Sequence, residues 1–302
     1  MRCMRFKEVL RMSKKGMVII MYKAEKVAVI GAGFMGSSIA LLCAQNGIDT
    51  INIDVSSEQL DNAQAMVART LARLVEKEKI SAQDSEDITA RLAYSTKIAD
   101  IGNADVVIEA VSEKIELKKK IMRQIEQFAS EDAVVLSNTS GLSITDIVKD
   151  AARPERVMCA HFFSPPTIMK LIEVIRGEKT DDDTYEKTLA FAAQIGKEPV
   201  DAPELPGFIV NRLLVPMIND AAFLVMQGAD KQNVDTAMKL GANHKMGPLE
   251  LGDFIGLDVI LAIMQTLHKG LKDDKYRPCP LIEHMVEAGK LGRKAKQGFY
   301  TY

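Results

Sequence analysis

The segment KVAVI, residues 26–30, runs without a gap into GAGFMG and then into a helical pattern. No other stretch limits the fold as tightly. A short β-branched run of this kind reads as a buried strand, and the glycines fall where a strand has to turn into a helix. Gly31 permits the tight turn, Gly33 lets the backbone approach a pyrophosphate, and Gly36 lets the helix lie close to the sheet. Phe34 and Met35 open the helix whose unpaired N–H groups attract an anion, so both count as candidate cofactor contacts. TINI (50–53) is the next strand and ends at Asp54, where a carboxylate would hydrogen-bond the adenosine ribose hydroxyls and repel a 2′-phosphate. The cofactor expected is therefore NAD rather than NADP. The competing interpretation is a glycine turn beside an unrelated capping Asp. FAD uses a similar fingerprint, but no second flavin-type segment is present.

The pattern then repeats strand and helix. Ile39, Leu42 and Cys43 form a helical stripe ending near Asn46–Gly47, and Ser56 or Ser57 can cap a helix running to about Lys79. ADVVIEA (104–110), AVVLSN (133–138), VMCAH (157–161) and LIEVI (171–175) complete the strands. One helix is expected over Ile115–Phe128, with Leu117, Ile121, Ile125 and Phe128 on one side, and another near 183–195. Alternation of this kind indicates an α/β fold with a doubly wound, Rossmann-type sheet. DAPELPG (201–207) reads as a linker. Beyond it, the segment FIVNRLLVPMINDAAFLVMQG and the stretches 231–240, 249–269 and 279–290 all have helical spacing, and Pro216 should kink the first of them. The domains expected are an extension (1–23), a nucleotide-binding domain (24–203) and an all-helical C-terminal domain (204–302).

At 302 residues the chain is long enough for two domains. A net charge of −2 argues against a nucleic-acid protein, and no apolar run approaches the roughly 20 residues that span a bilayer. The four cysteines (3, 43, 159 and 279) form no metal-binding cluster and read as reduced thiols of a cytoplasmic protein. Residues 1–24 are basic, with Glu8 the one acid, which fits either a dispensable extension or a mitochondrial transit peptide.

Within VMCAHFFSPPTIMKLIEVI (157–175), His161 ends one apolar run and Glu173 sits inside the next. Strand ends build the ligand crevice of an open α/β sheet, and a His–carboxylate pair there would handle protons. A satisfied core histidine is the plain alternative. Cys159, two residues before His161, would share its face, so a nucleophilic Cys–His pair competes with ordinary packing.

GAGFMG, SNTSG, HFFSPPTIMKLIEVI, PGFIVNRLL, MGPLELGDFIGLD and GRKAKQGFYTY occur in the order found in the 3-hydroxyacyl-CoA dehydrogenase family, which the chain resembles over roughly residues 24–302. The resemblance implies NAD-dependent interconversion of a short-chain (S)-3-hydroxyacyl-CoA and its 3-oxoacyl-CoA. By the same resemblance, His161 is the acid–base residue and Glu173 its partner, while Ser140 and Asn211 contact the substrate oxygen and this pair from the two domains, and Ser140 also borders the cofactor. Glu113 and Lys118 are implied at the nicotinamide end of the cofactor, although Lys118 also fits a solvated helix-end charge. Lys77, in the arm with Arg69, Arg73 and Lys79, is the implied cation for the coenzyme A phosphates, against a plain solvated face. Family members typically dimerise through the helical domain, where Leu213, Leu214, Met217, Ile218, Ile260, Ile263 and Met264 form apolar stripes. Met217, Met226, Met246 and Met264 read as core filler.

Two departures stand out. Ser164 occupies the place where the family usually has Asn beside the nicotinamide, which shortens the donor there. GRKAKQGFY replaces the more usual GRKTGxGFY in a C-terminal turn. The other readings are a β-hydroxyacid dehydrogenase with a catalytic lysine and a non-enzymatic NAD-binding protein of the crystallin type. Against the first, His161–Glu173 is the better-supported acid–base pair, and intact His161, Glu173, Ser140 and Asn211 speak against the second.

Overall fold

The computed structural model describes residues 22–302 with their side chains and, as backbone, two short strands ahead of them. These are β1 (Leu10–Ser13) and β2 (Gly16–Ile19), paired antiparallel in a sheet of their own. The basic side chains of residues 1–21, and with them the transit-peptide reading, lie outside the described residues. The chain divides into two compact units, Met1–Glu204 and Leu205–Tyr302.

In the first unit, β3 (Lys26–Ile30) leads through the glycine turn into α1 (Phe34–Gln45), followed by β4 (Asp49–Ile53), α2 (Ser57–Glu76), α3 (Ala82–Ala90) and β5 (Leu92–Ser95). The chain then crosses to the other side of β3. There it lays down β6 (Val106–Glu109), α4 (Ile115–Phe128), β7 (Val134–Ser137), the one-turn α5 (Ile144–Ile147), β8 (Val157–Phe162), β9 (Leu171–Arg176), α6 (Asp182–Gln194) and β10 (Glu198–Asp201). The eight strands line up in the order β10-β9-β8-β7-β6-β3-β4-β5. Every neighbouring pair is parallel except β8 and β9, which are antiparallel. The order reverses at β3, and the crevice of a doubly wound sheet opens at such a point.

Several local expectations are corrected here. The stripe Ile39–Leu42–Cys43 is only half of the buried surface of α1. Leu41 and Ala44, on its other side, pack against Val67 and Leu71 of α2 and Ile88 of α3, so the helix is apolar all round. Ser56 is the residue that caps α2, accepting from the Gln59 N–H, and the helix ends at Glu76 rather than Lys79. α3, β5 and β10 were not expected. β5 and β10 are short, border solvent and are not continuously apolar, and Pro199 is tolerated because β10 is an edge strand. In α4 the buried side is Lys118, Ile121, Met122 and Ile125, whereas Phe128 is exposed.

The second unit holds α7 (Val210–Met226), α8 (Lys231–Gly241), α9 (Pro248–Ile255), α10 (Leu257–Leu271) and α11 (Pro280–Glu287). α7 continues through Pro216 as one helix. The stretch expected as one helical segment at 249–269 is two helices, bent by 98° at Gly256, whose φ of 109° favours glycine. Val215, Ile218, Leu249, Ile260, Met264 and Leu267 form the core.

Two buried aspartates organise the rest of this unit. Asp235 of α8 accepts the N–H groups of Leu249 and Glu250 in the first turn of α9, together with the Tyr300 hydroxyl. Asp253 of α9 accepts the N–H groups of Phe299 and Tyr300, pinning the C-terminal QGFYTY segment. A Cβ on Gly298 would stand 2.0 Å from an Asp253 carboxylate oxygen, which accounts for the glycine. Met226 is 49% exposed and Leu213 is 71% exposed, so neither is core. Among the described residues no single helix is long and apolar enough to cross a membrane.

Candidate active site

The glycine turn is shaped by its surroundings as much as by its own freedom. Gly31 has φ 105°, and a Cβ there would lie 2.6 Å from the Ala110 carbonyl at the end of β6. A Cβ on Gly36 would lie 1.9 Å from the Gly31 carbonyl. At Gly33 a Cβ would meet nothing within 4 Å, so this is the face open to a ligand. No side chain caps α1, and its first turn carries no acid. The first N–H groups of α1, contributed by Phe34, Met35 and Gly36, therefore suit an anion.

Asp54 accepts from the Ala32 N–H (2.8 Å) and from the Ser56 N–H (3.0 Å), which ties the end of β4 to the glycine turn. Asn52, buried in β4, donates to the Val29 and Gly31 carbonyls and fixes the turn from below. Sequence reasoning passed over this Asn, although a lone amide inside an apolar strand needs a partner. Open space at Gly33, an uncapped helix start and a carboxylate at the next strand end fit a dinucleotide.

On the other half of the sheet, His161 and Glu173 face each other in direct register across β8 and β9. His161 Nδ1 lies 2.8 Å from Glu173 Oε2, and both residues are buried. The Phe163 ring packs on the imidazole at 4.6 Å between centroids. Asn138, the second residue of SNTSG, accepts the Phe162 N–H through Oδ1 and holds the end of β8 to the end of β7. Cys159 lies buried, its thiol directed at the Thr139 carbonyl at 3.5 Å, and burial pushes it well above the ordinary thiol range. It is poorly suited to be a thiolate nucleophile.

Behind the SNTSG loop lies a buried charge network. Lys118 is fully buried, which overturns the solvated helix-end reading. Its Nζ lies 2.7 Å from Glu109 Oε1, 3.3 Å from Glu113 Oε2 and 3.3 Å from the Val111 carbonyl. Glu109, at the end of β6, also accepts from the Ser137 hydroxyl (2.6 Å) and from the Val111 N–H (2.8 Å). Glu113 accepts from the Thr139 hydroxyl (2.5 Å) and from the Ser140 N–H (2.8 Å). The ion pair thus holds the loop that carries Ser140. Glu109 was missed, though a carboxylate ending the apolar run ADVVIE was a signal.

Ser164 is exposed in the β8–β9 connection, and Lys77 is exposed at the C-terminal end of α2. Asn211 is half-buried in the first turn of α7.

Residues 26–205 match the model of the 3-hydroxyacyl-CoA dehydrogenase NAD binding domain, and residues 207–302 match that of the 3-hydroxyacyl-CoA dehydrogenase C-terminal domain. The chain belongs to the 3-hydroxyacyl-CoA dehydrogenase family. It is 46% identical over 279 residues to a 3-hydroxybutyryl-CoA dehydrogenase of Bradyrhizobium diazoefficiens, covering 92% of this chain and 95% of that protein. A 3-hydroxybutyryl-CoA dehydrogenase of Clostridioides difficile is 43% identical over 278 residues, covering 92% and 99%. The crystal structure of (S)-3-hydroxybutyryl-CoA dehydrogenase from Ralstonia eutropha superposes with a TM-score of 0.88 at 42% identity, covering 93% of this chain and 99% of that one. In this family member the glycine turn therefore belongs to an NAD-binding domain.

Proposed function

We propose that the protein is an NAD-dependent dehydrogenase that interconverts a short-chain (S)-3-hydroxyacyl-CoA, 3-hydroxybutyryl-CoA above all, and its 3-oxoacyl-CoA. The observation that carries this reading is the register-locked His161–Glu173 pair, 2.8 Å apart, in a chain of this family. Bound NAD supplies the acceptor for the hydride from C3. His161 takes the C3 hydroxyl proton on Nε2 as the C3–O bond becomes a carbonyl, and returns that proton in the reverse direction. Glu173, on Nδ1, fixes the tautomer and stabilises the imidazolium.

Ser140 and Asn211 hold the substrate oxygen, and Ser164 takes the place of the family's usual amide donor. Gly31, Gly33, Phe34, Met35 and Gly36 receive the pyrophosphate, and Asp54 the adenosine ribose. Glu113, steadied by Lys118, borders the nicotinamide. Lys77 is the cation offered to the coenzyme A phosphates. The protein acts in the cytoplasm as a homodimer joined through its helical unit, where Leu213, Pro216, Met217 and Leu224 line an open groove of about 680 Å³.

The test is NADH oxidation with acetoacetyl-CoA. Wild type should turn over, and His161→Gln should lose about 10²–10⁴-fold in kcat, the share that acid–base catalysis contributes. Absence of turnover with both NADH and NADPH would refute the activity. A fully active His161→Gln would refute the role of the imidazole.

A further inference from the structure

The segment joining β8 to β9 is rich in acceptors and poor in donors. Pro165 and Pro166 have no N–H, and the Ile168 and Met169 N–H groups both turn back onto the Pro165 carbonyl at 3.0 Å. The carbonyls of Pro166 and Met169 are met by a single side chain. Lys197 Nζ lies 2.5 Å from the Pro166 oxygen and 2.6 Å from the Met169 oxygen. Lys197 is only 7% exposed, and among the described residues no carboxylate pairs with it. Burial pushes its ammonium below the ordinary lysine range. A cation kept in such a place needs acceptors, and here both are main-chain oxygens of one turn.

Its own backbone is firmly placed. α6 ends in a left-handed Gly196 (φ 70°), with Gly196 N–H bonded to the Ala193 carbonyl and Lys197 N–H to the Ala192 carbonyl. The next residue begins β10, and the Glu198 N–H bonds the Lys170 carbonyl just ahead of β9. Lys197 thus stands on a rigid helix end, beside the eight-residue connection (163–170) that follows the paired His161 and Phe162 of β8 and precedes their partners Glu173 and Ile172 in β9.

We propose that Lys197 is a positioning residue for the reaction: by gripping the Pro166 and Met169 carbonyls it fixes the β8–β9 turn and, through it, the His161 imidazole against Glu173. The inference rests on His161 being the proton-transfer residue. Lys197 touches neither member of the pair and acts through the turn.

Two readouts on Lys197→Met, Lys197→Gln and Lys197→Arg test this. In the first, kcat with acetoacetyl-CoA should fall about 10–100-fold in Lys197→Met, with KM for NADH within about twofold of wild type, the cost of a misplacement near 1 Å. Lys197→Arg, which keeps a cation with several donors, should recover most of the loss, and Lys197→Gln should fall between. The second readout needs no turnover. With only four histidines, the ring Nδ1–H proton of His161 can be assigned in nitrogen-labelled protein by its loss in His161→Gln. In Lys197→Met this low-field signal should move or exchange faster.

An unchanged His161 signal in folded Lys197→Met overturns the proposal, whatever its activity. A lowered melting temperature with unchanged kcat per folded molecule overturns it too, as does failure of both Lys197→Met and Lys197→Gln to fold. An inactive wild type with an altered signal in Lys197→Met would leave the positioning role standing and remove the dehydrogenase reading instead.

Discussion

Glu109 and Lys118 form an ion pair in the first unit with both side chains essentially out of water. Such a pair costs little while complete, but losing one partner strands the other. Lys118→Met should therefore destabilise the protein by about 3–5 kcal/mol in urea denaturation. Adding Glu109→Gln should recover a good part of that loss, because the remaining polar group is neutral and keeps Ser137. Equal destabilisation by the single and double changes would show that the charge is not the cause. This network was only half legible in the sequence. Lys118 shares the helical spacing of Ile121, Met122 and Ile125, and that pattern marks the core side of α4. Its charge points toward solvent on pattern alone, and the acceptors gathered around it, Glu109 at the end of β6 with Glu113 and the Val111 carbonyl, explain why it stays inside.

At the scale of elements, the strand–turn–helix at 26–45 could be read directly because its signals are local: a β-branched run, three spaced glycines and a helix. The glycines differ in what they do, which gives a contrast. Gly33→Ala should keep the wild-type melting temperature, since its Cβ meets nothing and its φ of −68° suits alanine, yet should lose NADH affinity in a fluorescence titration. Gly36→Ala should lose stability as well, by about 1–3 kcal/mol, because its Cβ collides with backbone. Retained NADH binding in Gly33→Ala would move the pyrophosphate site elsewhere. The antiparallel turn of β9 was not legible. A spacing of twelve residues between His161 and Glu173 is compatible with several pairings, and only the sheet selects the one that sets them opposite. β5 and β10 escaped notice because edge strands need no continuous apolar run.

For the whole molecule, the division into an α/β unit and a helical unit follows from where strand patterns stop, near Asp201. Oligomeric state is a property of surface rather than of pattern. On the second unit, the exposed Leu213 and Leu224 line one open groove together with Pro216 and Met217. The homodimer proposed above predicts that wild type sediments as two chains and that Leu213→Asp combined with Leu224→Asp sediments as one, with the helical content retained. A wild type that sediments as one chain at micromolar concentration would remove the dimer.

The direct register of His161 and Glu173 also limits how this protein can change over generations. Side chains on a strand alternate in steps of one residue, so a single deletion ahead of Glu173 in β9 would bring Val174 opposite the imidazole and turn the carboxylate away. Gradual adjustment by sliding that strand is closed to the lineage. Variation in rate or substrate has to arise from side-chain exchange and from the connections around the sheet, while the length of β9 stays fixed.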